Sequence, residues 1–337
     1  MKTTITEWSI PDLLQLSGGY WSTCALHAGV KLDIFSIVDG TGRTAAEVAQ
    51  LCNSDQRATA MLLDALTGLG LLEKRDNSYI TTPFSAHNLS KASPGYLGHI
   101  IMHHHHLVSG WGRLDEAVTS GGPVRTSISH GDDETVRESF LMGMFNLASL
   151  LAPRIAQSLR LAGWRRLLDL GGGPGTYAIH FCLANPDLTA VVYDLPTTRV
   201  FAEKTIASFE LSDRINFVAG DFHADSVPTG FDAAWLSHVL HSDGPESCAA
   251  LLRTAVAALN PGGVLMVQEF ILNDAKDGPA FPALFSLNML IGTENGQSYS
   301  ESELTTMMTD AGLSDVHRLV HELPNGAGIM RGRKAAI

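Results

Sequence analysis

The feature that most constrains the fold is a run of glycines between an apolar strand-like segment and a helical pattern. In LLDLGGGPGTYAIHF, the loop supplies Gly171, Gly172, Gly173 and Gly175. Without side chains, backbone N–H groups at such a turn can approach a ligand closely. The spacing differs from the GxGxxG dinucleotide fingerprint. The loop therefore favours a carboxypropyl or ribose group over a pyrophosphate, the alternative being a turn that binds nothing.

Strand-like and helix-like segments alternate through the remainder of the chain, residues 164–337. Short apolar runs of strand length are RRLLDL, TAVVYDL, INFVAGD, FDAAWLSHVL and GVLMVQEF. Helical patterns between them include RVFAEKTIASFE and ESCAALLRTAVAAL. This alternation predicts an α/β fold with a doubly wound parallel sheet. A ligand site is then expected beyond the carboxyl ends of the strands.

Two acidic residues end successive predicted strands of this sheet. Asp194 ends AVVYDLP, where a carboxylate can accept hydrogen bonds from ribose hydroxyls. Asp221 ends FVAGDF, where it can accept from an adenine amino group while Phe222 packs on the ring. Either aspartate alone could be a turn or cap residue. Together with the glycine loop, they favour S-adenosylmethionine over a nicotinamide cofactor.

The first 90 residues predict short helices followed by a hairpin. An apolar-periodic helix opens at Pro11 and is expected to end at Gly29, and Thr44-Ala45-Ala46-Glu47 has the capping-box pattern. A further helix begins after Asp55, and LLEKRDNSYITTP reads as two strands joined at residues 76–78. The outline is that of a winged helix.

Composition argues against nucleic acid as the partner of this domain. The 337 residues carry a formal charge of −12, and residues 1–91 hold seven Lys and Arg against nine Asp and Glu. A domain that grips phosphates should be basic. The would-be recognition helix, MLLDALTGLGLL, is strongly apolar and is better suited to a core or a dimer interface. We therefore expect a homodimer.

Cysteine usage and the apolar runs bear on the compartment. The four cysteines are scattered, without a CxxC pair, which predicts neither disulfides nor a zinc site. The N-terminal sequence lacks the apolar core of a signal peptide, and no run of about 18 apolar residues occurs. These patterns predict a cytoplasmic protein without a membrane partner.

In its ordered set of motifs, the chain resembles the class I small-molecule O-methyltransferases with an N-terminal winged-helix dimerisation domain. Plant caffeate and isoflavone enzymes and bacterial hydroxyneurosporene enzymes belong to this family. The motifs are GLLEKRDNSYITTP, FLMGM, LDLGGGPG, YDLP, GDF, HVLHSDGPESC, LNPGGVLMVQEFIL and NGQSYSESEL. The resemblance implies a Rossmann-like methyltransferase sheet. It also implies a dimerisation domain at 1–95, a helical connector and pocket wall at 96–160, and an S-adenosylmethionine domain at 161–337.

The resemblance also implies roles for individual residues. His241 falls on the catalytic base and Glu269 on the carboxylate that holds it. Acceptor-pocket positions fall on Phe140, Met144 and Met289. Cofactor contacts, with S-adenosylhomocysteine as the product, fall on Gly171, Gly173, Asp194, Leu195, Asp221, Phe222 and Ser237.

Purely structural roles are alternatives for several of these residues. His241 could line a pocket or cap a helix, Glu269 could be satisfied by backbone donors, and the acceptor-pocket residues could be core. Ser242 and Ser298 stand where plant enzymes have acidic residues, so the base is less heavily supported here. The alternatives are a cofactor-binding relative with other chemistry and a winged-helix regulator.

The run of four histidines at residues 103–106 is the last unusual motif. On a helix, His99, His103 and His106 share a face. No Cys, Asp or Glu joins that face, so a metal site is not predicted there. These side chains are expected to line the acceptor pocket or to meet solvent.

Overall fold

The computed structural model describes residues 7–126, 133–159, 161 and 163–336. The chain divides into two compact units, an N-terminal unit of residues 1–106 and a C-terminal unit of residues 107–337. Each unit has its own hydrophobic core.

The N-terminal unit is mostly helical, with a small antiparallel sheet. Its helices are α1 (Ile10–Gly18), α2 (Tyr20–Lys31), α3 (Ile34–Ile37), α4 (Ala45–Cys52), α5 (Gln56–Gly68), α6 (Pro83–Leu89) and the first turns of α7 (Gly98–Trp111). Its strands, in the order β1-β3-β2, are β1 (Arg43–Thr44), β2 (Leu72–Arg75) and β3 (Ser78–Thr81). The predicted capping box at Thr44 and Glu47 is confirmed. The hairpin is also confirmed, with Arg75 paired to Ser78 across a two-residue turn.

The predicted helix end at Gly29 is wrong. The first helix instead breaks at Gly19, and α2 continues through Gly29 to Lys31. A Cβ on Gly29 would lie 3.0 Å from Leu66 Cδ1 and 3.1 Å from Phe35 Cε2. The missing side chain therefore permits close packing inside the core rather than a left-handed cap.

The C-terminal unit is built around a seven-stranded sheet of order β6-β5-β4-β7-β8-β10-β9. Its strands are β4 (Arg166–Leu170), β5 (Thr189–Asp194), β6 (Ile215–Ala219), β7 (Phe231–Ser237), β8 (Leu259–Phe270), β9 (Leu313–Arg318) and β10 (Ala327–Lys334). Its helices after α7 are α8 (Leu114–Ser120), α9 (Glu134–Ser149), α10 (Ala152–Leu159), α11 (Thr176–Ala184), α12 (Arg199–Ser208), α13 (Pro245–Ala258), α14 (Ala280–Leu290) and α15 (Glu301–Asp310). All five strands predicted from apolar runs are present.

The expectation of a wholly parallel sheet needs one correction. Strands β4 to β8 pair in parallel, but β10 runs antiparallel to both β8 and β9. In this register, Gly328 of β10 stands opposite Glu269 of β8. The sequence of β10, AGIMRGRK, lacks the continuous apolar run that marks the five parallel strands.

Two buried clusters lie along the sheet and account for its apolar strands. One includes Leu168, Leu236 and Val267, and the other includes Leu167, Trp235 and Met266. Neighbouring residues of one strand thus belong to different clusters, as expected when both faces of a sheet are covered. The strand order reverses between β4 and β7, which places a crevice at their carboxyl ends.

The segment predicted as a helical connector contains helices α8, α9 and α10. Part of the polar stretch SISHGDDE lies outside the described residues, which resume at Asp133, the N-cap of α9. No single helix in the described part of the chain has the length and apolar character to cross a membrane; α9 and α10, bent by 51°, meet that test only as a pair and only by length and composition.

Candidate active site

The glycine loop lies between β4 and α11, and its geometry demands glycine. Gly171, Gly173 and Gly175 have φ of +69°, +53° and +77°, the left-handed region that side chains disfavour. A Cβ on Gly171 would stand 2.7 Å from Val239 Cγ2. The backbone N–H of Gly173 donates to Asp194 Oδ2 at 2.8 Å. The loop thus joins the ends of two adjacent strands through its backbone.

Asp194, at the end of β5, is held by short hydrogen bonds. Its Oδ1 accepts from the Leu195 N–H at 2.7 Å and from Thr198 Oγ1 at 3.0 Å. Burial raises the pKa of Asp194, and the backbone donors at Gly173 and Leu195 oppose that rise. The carboxylate is therefore fixed in position at the edge of the crevice.

Asp221 and Phe222 follow the end of β6, the neighbour of β5 in the sheet. The Gly220 N–H donates to the Asp194 carbonyl at 3.0 Å, which ties this loop to the end of β5. Asp221 Oδ1 accepts from the His223 N–H at 2.9 Å. The Phe222 ring lies close to Gly171, 3.6 Å from where a Cβ would be. The structure thus gathers the predicted glycines, both acids, Leu195 and Phe222 along three adjacent strand ends.

Sequence reasoning passed over Asp169, which supports the loop from within. Its Oδ2 accepts from the Ala178 N–H at 3.2 Å, and its Cγ would lie 2.6 Å from a Cβ on Gly172. Burial raises the pKa of Asp169 to about 7, and the nearby charge of Asp194 adds to the rise. An acidic residue inside an otherwise apolar strand was the signal that could have revealed it.

His241 and Glu269 meet at the ends of β7 and β8. His241 lies in a short 3-10 helix, Leu240–Ser242, and Glu269 is the penultimate residue of β8. His241 Nδ1 is 2.8 Å from Glu269 Oε2, and only 11% and 3% of the two side chains are exposed. A carboxylate can only accept, so Nδ1 donates and Nε2 of a neutral ring keeps its lone pair.

Glu269 stays ionised although it is buried. Burial on its own would raise its pKa, but the charges of His241 and His238 and the hydrogen bond from His241 outweigh that effect and hold the pKa below its ordinary value. A buried carboxylate beside an imidazole stabilises the protonated ring.

His238 is a second imidazole beside Glu269, and sequence reasoning missed it. Its backbone has φ of +56°, and its Nδ1 lies 3.6 Å from Glu269 Oε2. The ring packs on Phe270 with a centroid distance of 4.3 Å. The preceding residue, Ser237, directs its hydroxyl to Gln268 Oε1 at 3.3 Å. Its assignment to the cofactor stays a prediction.

Aromatic side chains surround the histidines. The Phe285 ring of α14 meets the His241 ring edge-on at 4.7 Å, and Phe270 lies 4.7 Å from Phe285. Met289 is buried one turn farther along α14. The sequence signal for Phe285 was the four-residue spacing in FPALFSLNM, which sets Phe281, Phe285 and Met289 on one helix face.

Phe140 and Met144 lie four residues apart and half-buried on α9. The same spacing places them on one helix face. Their assignment to the acceptor pocket stays a prediction.

Two serines stand where the plant pattern has carboxylates. Ser298 is buried, and its Oγ has no hydrogen-bond partner among the described residues. The Ser242 N–H donates to the Val239 carbonyl at 3.1 Å. The structure therefore supports the His241 ring with Glu269 and with no carboxylate at either serine position.

The crevice fits S-adenosylmethionine on its own geometry. A Cβ at Gly171 would clash with Val239 and contact Phe222, so the loop keeps its position at the ends of the strands only because this residue is glycine. The carboxylates of Asp194 and Asp221 are acceptors at the two following strand ends. Hydroxyl and amino groups of a nucleoside need such acceptors.

Comparisons with known proteins agree with this geometry. The O-methyltransferase domain family matches residues 113–314, and the O-methyltransferase dimerisation domain matches residues 14–91. The chain is 36% identical to the 3-hydroxy-5-methyl-1-naphthoate 3-O-methyltransferase of Streptomyces sahachiroi, covering 96% of both chains. It is 31% identical to the tetracenomycin polyketide synthesis 8-O-methyl transferase of Streptomyces glaucescens, again covering 96% of both. Human N-acetylserotonin methyltransferase, solved in complex with S-adenosylmethionine, has a TM-score of 0.85 at 25% identity, covering 99% of this chain and 100% of the human one.

The fold and the crevice define a class I methyltransferase. The chain belongs to the O-methyltransferase family that carries an N-terminal dimerisation domain, and it is an S-adenosylmethionine-dependent enzyme. The expected family, fold class and cofactor are thereby confirmed.

Proposed function

We propose that this enzyme methylates a hydroxyl group of a small aromatic, polyketide-like acceptor, with His241 as the general base. The observation that carries the proposal is the buried 2.8 Å contact between His241 Nδ1 and Glu269 Oε2. It leaves Nε2 of the ring able to accept a proton. Support for the acceptor class comes from two relatives, one named for a naphthoate and one for tetracenomycin polyketide synthesis.

The three strand ends would hold the cofactor. Backbone groups of Gly171 and Gly173 would border it, Asp194 would accept from the ribose, and Asp221 would accept from the adenine while Phe222 packed on the ring. Leu195 and Ser237 complete the predicted contacts. When bound, S-adenosylmethionine supplies an electrophilic methyl group and leaves as S-adenosylhomocysteine.

The base removes a proton that an acceptor phenol holds tightly. A phenol near pKa 10 and an ordinary histidine near 6.5 differ by about 3.5 units, or roughly 4.8 kcal/mol for complete proton transfer beforehand. Proton removal concerted with bond formation avoids that full cost, and general-base assistance is worth about 10²–10⁴-fold. Glu269 orients the ring and stabilises the imidazolium that forms.

The acceptor pocket is apolar and aromatic on the side that the histidines face. Phe285 touches the His241 ring, and Met289 follows on the same helix. Phe140 and Met144 of α9 form a further wall. Edge and face contacts with phenylalanine rings favour a flat aromatic acceptor. Holding its hydroxyl in line with the methyl group is the larger part of the catalysis.

The enzyme works as a cytoplasmic homodimer, with its domains at 1–95, 96–160 and 161–337. The dimer proposal is supported by apolar side chains that the N-terminal unit leaves exposed, among them Leu14 at 65% and Trp21 at 70%. Large exposed apolar patches mark interaction surfaces. The matching dimerisation domain spans residues 14–91.

Replacement of His241 by alanine tests the base. Turnover with a naphthol panel and labelled cofactor should fall about 10²–10⁴-fold, while the Kd for S-adenosylmethionine stays within twofold. His317→Ala removes an exposed histidine of the same unit and is the matched control. Unchanged turnover in the His241 variant would remove this residue from the mechanism.

A further inference from the structure

His238, His241 and Glu269 form a cluster whose potential metal-binding atoms lie within 4.8 Å of one another. The three side chains come from the end of β7, the 3-10 helix that follows it, and the end of β8. We propose that this cluster binds a divalent transition metal ion, represented by Zn²⁺, and that the bound ion switches off the base. The switch rests on the proposed role of His241, whereas the binding site does not.

Two of the three separations between ligand atoms lie close to the spacing around a tetrahedral ion, and the third pair lies within 4.8 Å. Two ligands at roughly 2.0–2.1 Å from zinc stand about 3.3 Å apart. His241 Nδ1 is 2.8 Å from Glu269 Oε2, and His238 Nδ1 is 3.6 Å from the same oxygen. Shifts of about half an ångström bring both pairs to the tetrahedral separation.

His238 is placed in a way that the hydrogen bonding of the site does not explain. Among the residues that the structure describes, its Nδ1 is buried without a hydrogen-bond partner, since 3.6 Å is too long for a hydrogen bond to Glu269. Its backbone has φ of +56°, a conformation that residues with a side chain seldom adopt. A strained residue that aims an unpartnered nitrogen at a buried carboxylate is expected at a ligand site.

The donor set selects the class of ion. Two imidazoles and one carboxylate suit zinc, iron, cobalt or nickel, whereas magnesium and calcium prefer oxygen ligands. Three protein ligands leave a fourth position for water or another ligand. The His238 side chain is 25% exposed, so the cluster is not fully enclosed by protein.

Metal binding changes the tautomer of His241. In the metal-free site, Nδ1 carries the proton and donates it to Glu269, and Nε2 accepts. An ion on Nδ1 displaces that proton, which the neutral ring carries on Nε2 instead. A ring with Nε2–H cannot take the acceptor proton, so the bound ion and catalysis exclude one another.

Zinc binding is measured by competition with a chromophoric chelator, using chelator-washed protein. The background is the double variant His104→Asn/His105→Asn, which removes part of the histidine run as a competing zinc ligand. In this background, His238→Asn should weaken the tightest zinc site at least about 100-fold, since even partners outside the ligand shell are worth 10–100-fold. Asparagine tolerates a positive φ, so thermal melting should confirm that the variant folds.

Turnover is then titrated with zinc, each variant being normalised to its own metal-free rate. The zinc concentration for half-inhibition should rise with His238→Asn by the same factor as the Kd, and a chelator should restore the rate. Equal zinc affinity in both proteins would overturn the site. Tight binding without inhibition would overturn the switch. Because the affinity is measured without acceptor, the test of the site does not depend on whether His241→Ala retains turnover. That variant shows separately whether a failed switch reflects a failed base.

Discussion

The two units of this molecule distribute apolar and polar side chains in opposite ways. The C-terminal unit encloses its sheet in large apolar clusters and gathers titratable groups at the strand ends. The N-terminal unit leaves Trp21 and Leu14 exposed on its first helices, yet it buries His27 among other imidazoles. The first arrangement suits chemistry at a fixed crevice, and the second suits a surface that a partner covers. Substitutions in one unit should therefore change catalysis and those in the other should change assembly.

The largest effect is expected from Glu269→Gln in the C-terminal unit. Loss of the carboxylate charge should lower kcat by up to about 10²–10⁴-fold, which is the factor that a general base supplies. Steady-state kinetics at pH 7.5 measure this change.

Glu246→Gln, an exposed substitution at the start of α13, is the matched control for Glu269. An unchanged kcat in Glu269→Gln would remove this carboxylate from the mechanism. A changed particle mass of Glu269→Gln in light scattering would show that a substitution in the C-terminal unit also alters assembly. That result would contradict the division of roles between the two units.

Gly171→Ala should weaken cofactor binding about tenfold or more. The new Cβ would stand 2.7 Å from Val239 Cγ2 at φ of +69°, so the loop must move from the position that borders the ligand. Gly121→Ala isolates the backbone strain, because Gly121 has φ of +72° with nothing within 4 Å. That strain is worth roughly 1–2 kcal/mol of stability. Equal Kd values for S-adenosylmethionine in the two variants would remove the loop from the cofactor site.

Trp21→Asp should halve the particle mass and leave cofactor affinity nearly unchanged. The side chain is 70% exposed, and a charge in an apolar interface is costly. Light scattering should change from twice the chain mass of 36.1 kDa to that mass itself. Val320→Asp places the same charge on an exposed apolar residue of the other unit. A monomeric wild-type protein would contradict the dimer outright.

The smallest effect is a loss of stability in mild acid that originates in the N-terminal unit. Burial lowers the pKa of His27, and the charges of His105 and His104 lower it further. As pH falls through the unfolded value of 6.5, the unfolded chain takes up this proton before the folded one. The contribution of neutral His27 to the free energy of unfolding is therefore fully present above pH 6.5. It declines as the pH falls from that value to the lower pKa of His27 in the folded protein.

Melting temperatures at pH 7.5 and 5.5 measure this decline. His27→Asn should reduce the difference between the two pH values. An equal decline in the variant would assign the acid sensitivity to other groups, such as the carboxylates of the sheet.

Much of the fold was readable because its signals are local. Continuous apolar runs marked the five parallel strands, and the glycines marked the turn beside them. The helix end predicted at Gly29 was wrong because this glycine serves tertiary packing. Leu66 and Phe35 approach it from other helices. Strand β10 was not predicted, because a strand rich in glycine and arginine has little hydrophobic periodicity.

The candidate site was readable to the extent that motifs carry it. His241, Glu269 and the cofactor acids lie in short recognisable segments, and the structure brings them to neighbouring strand ends. His238 could not be found in this way. The orientation of its side chain depends on a positive φ, which cannot be predicted from the residue type. The Phe285 contact depends on how α14 packs against the histidines, which one sequence does not specify.

The position of β10 has a consequence for the order in which the sheet can be completed during folding. This strand lies between β8 and β9, and Gly328 pairs with Glu269. Residues 327–334 lie far along the chain from β8, so β8 lacks a neighbour on one side until this distant segment packs against it. The surroundings of Glu269 are therefore completed by a long-range contact, which forms more slowly than contacts between segments that are close in sequence.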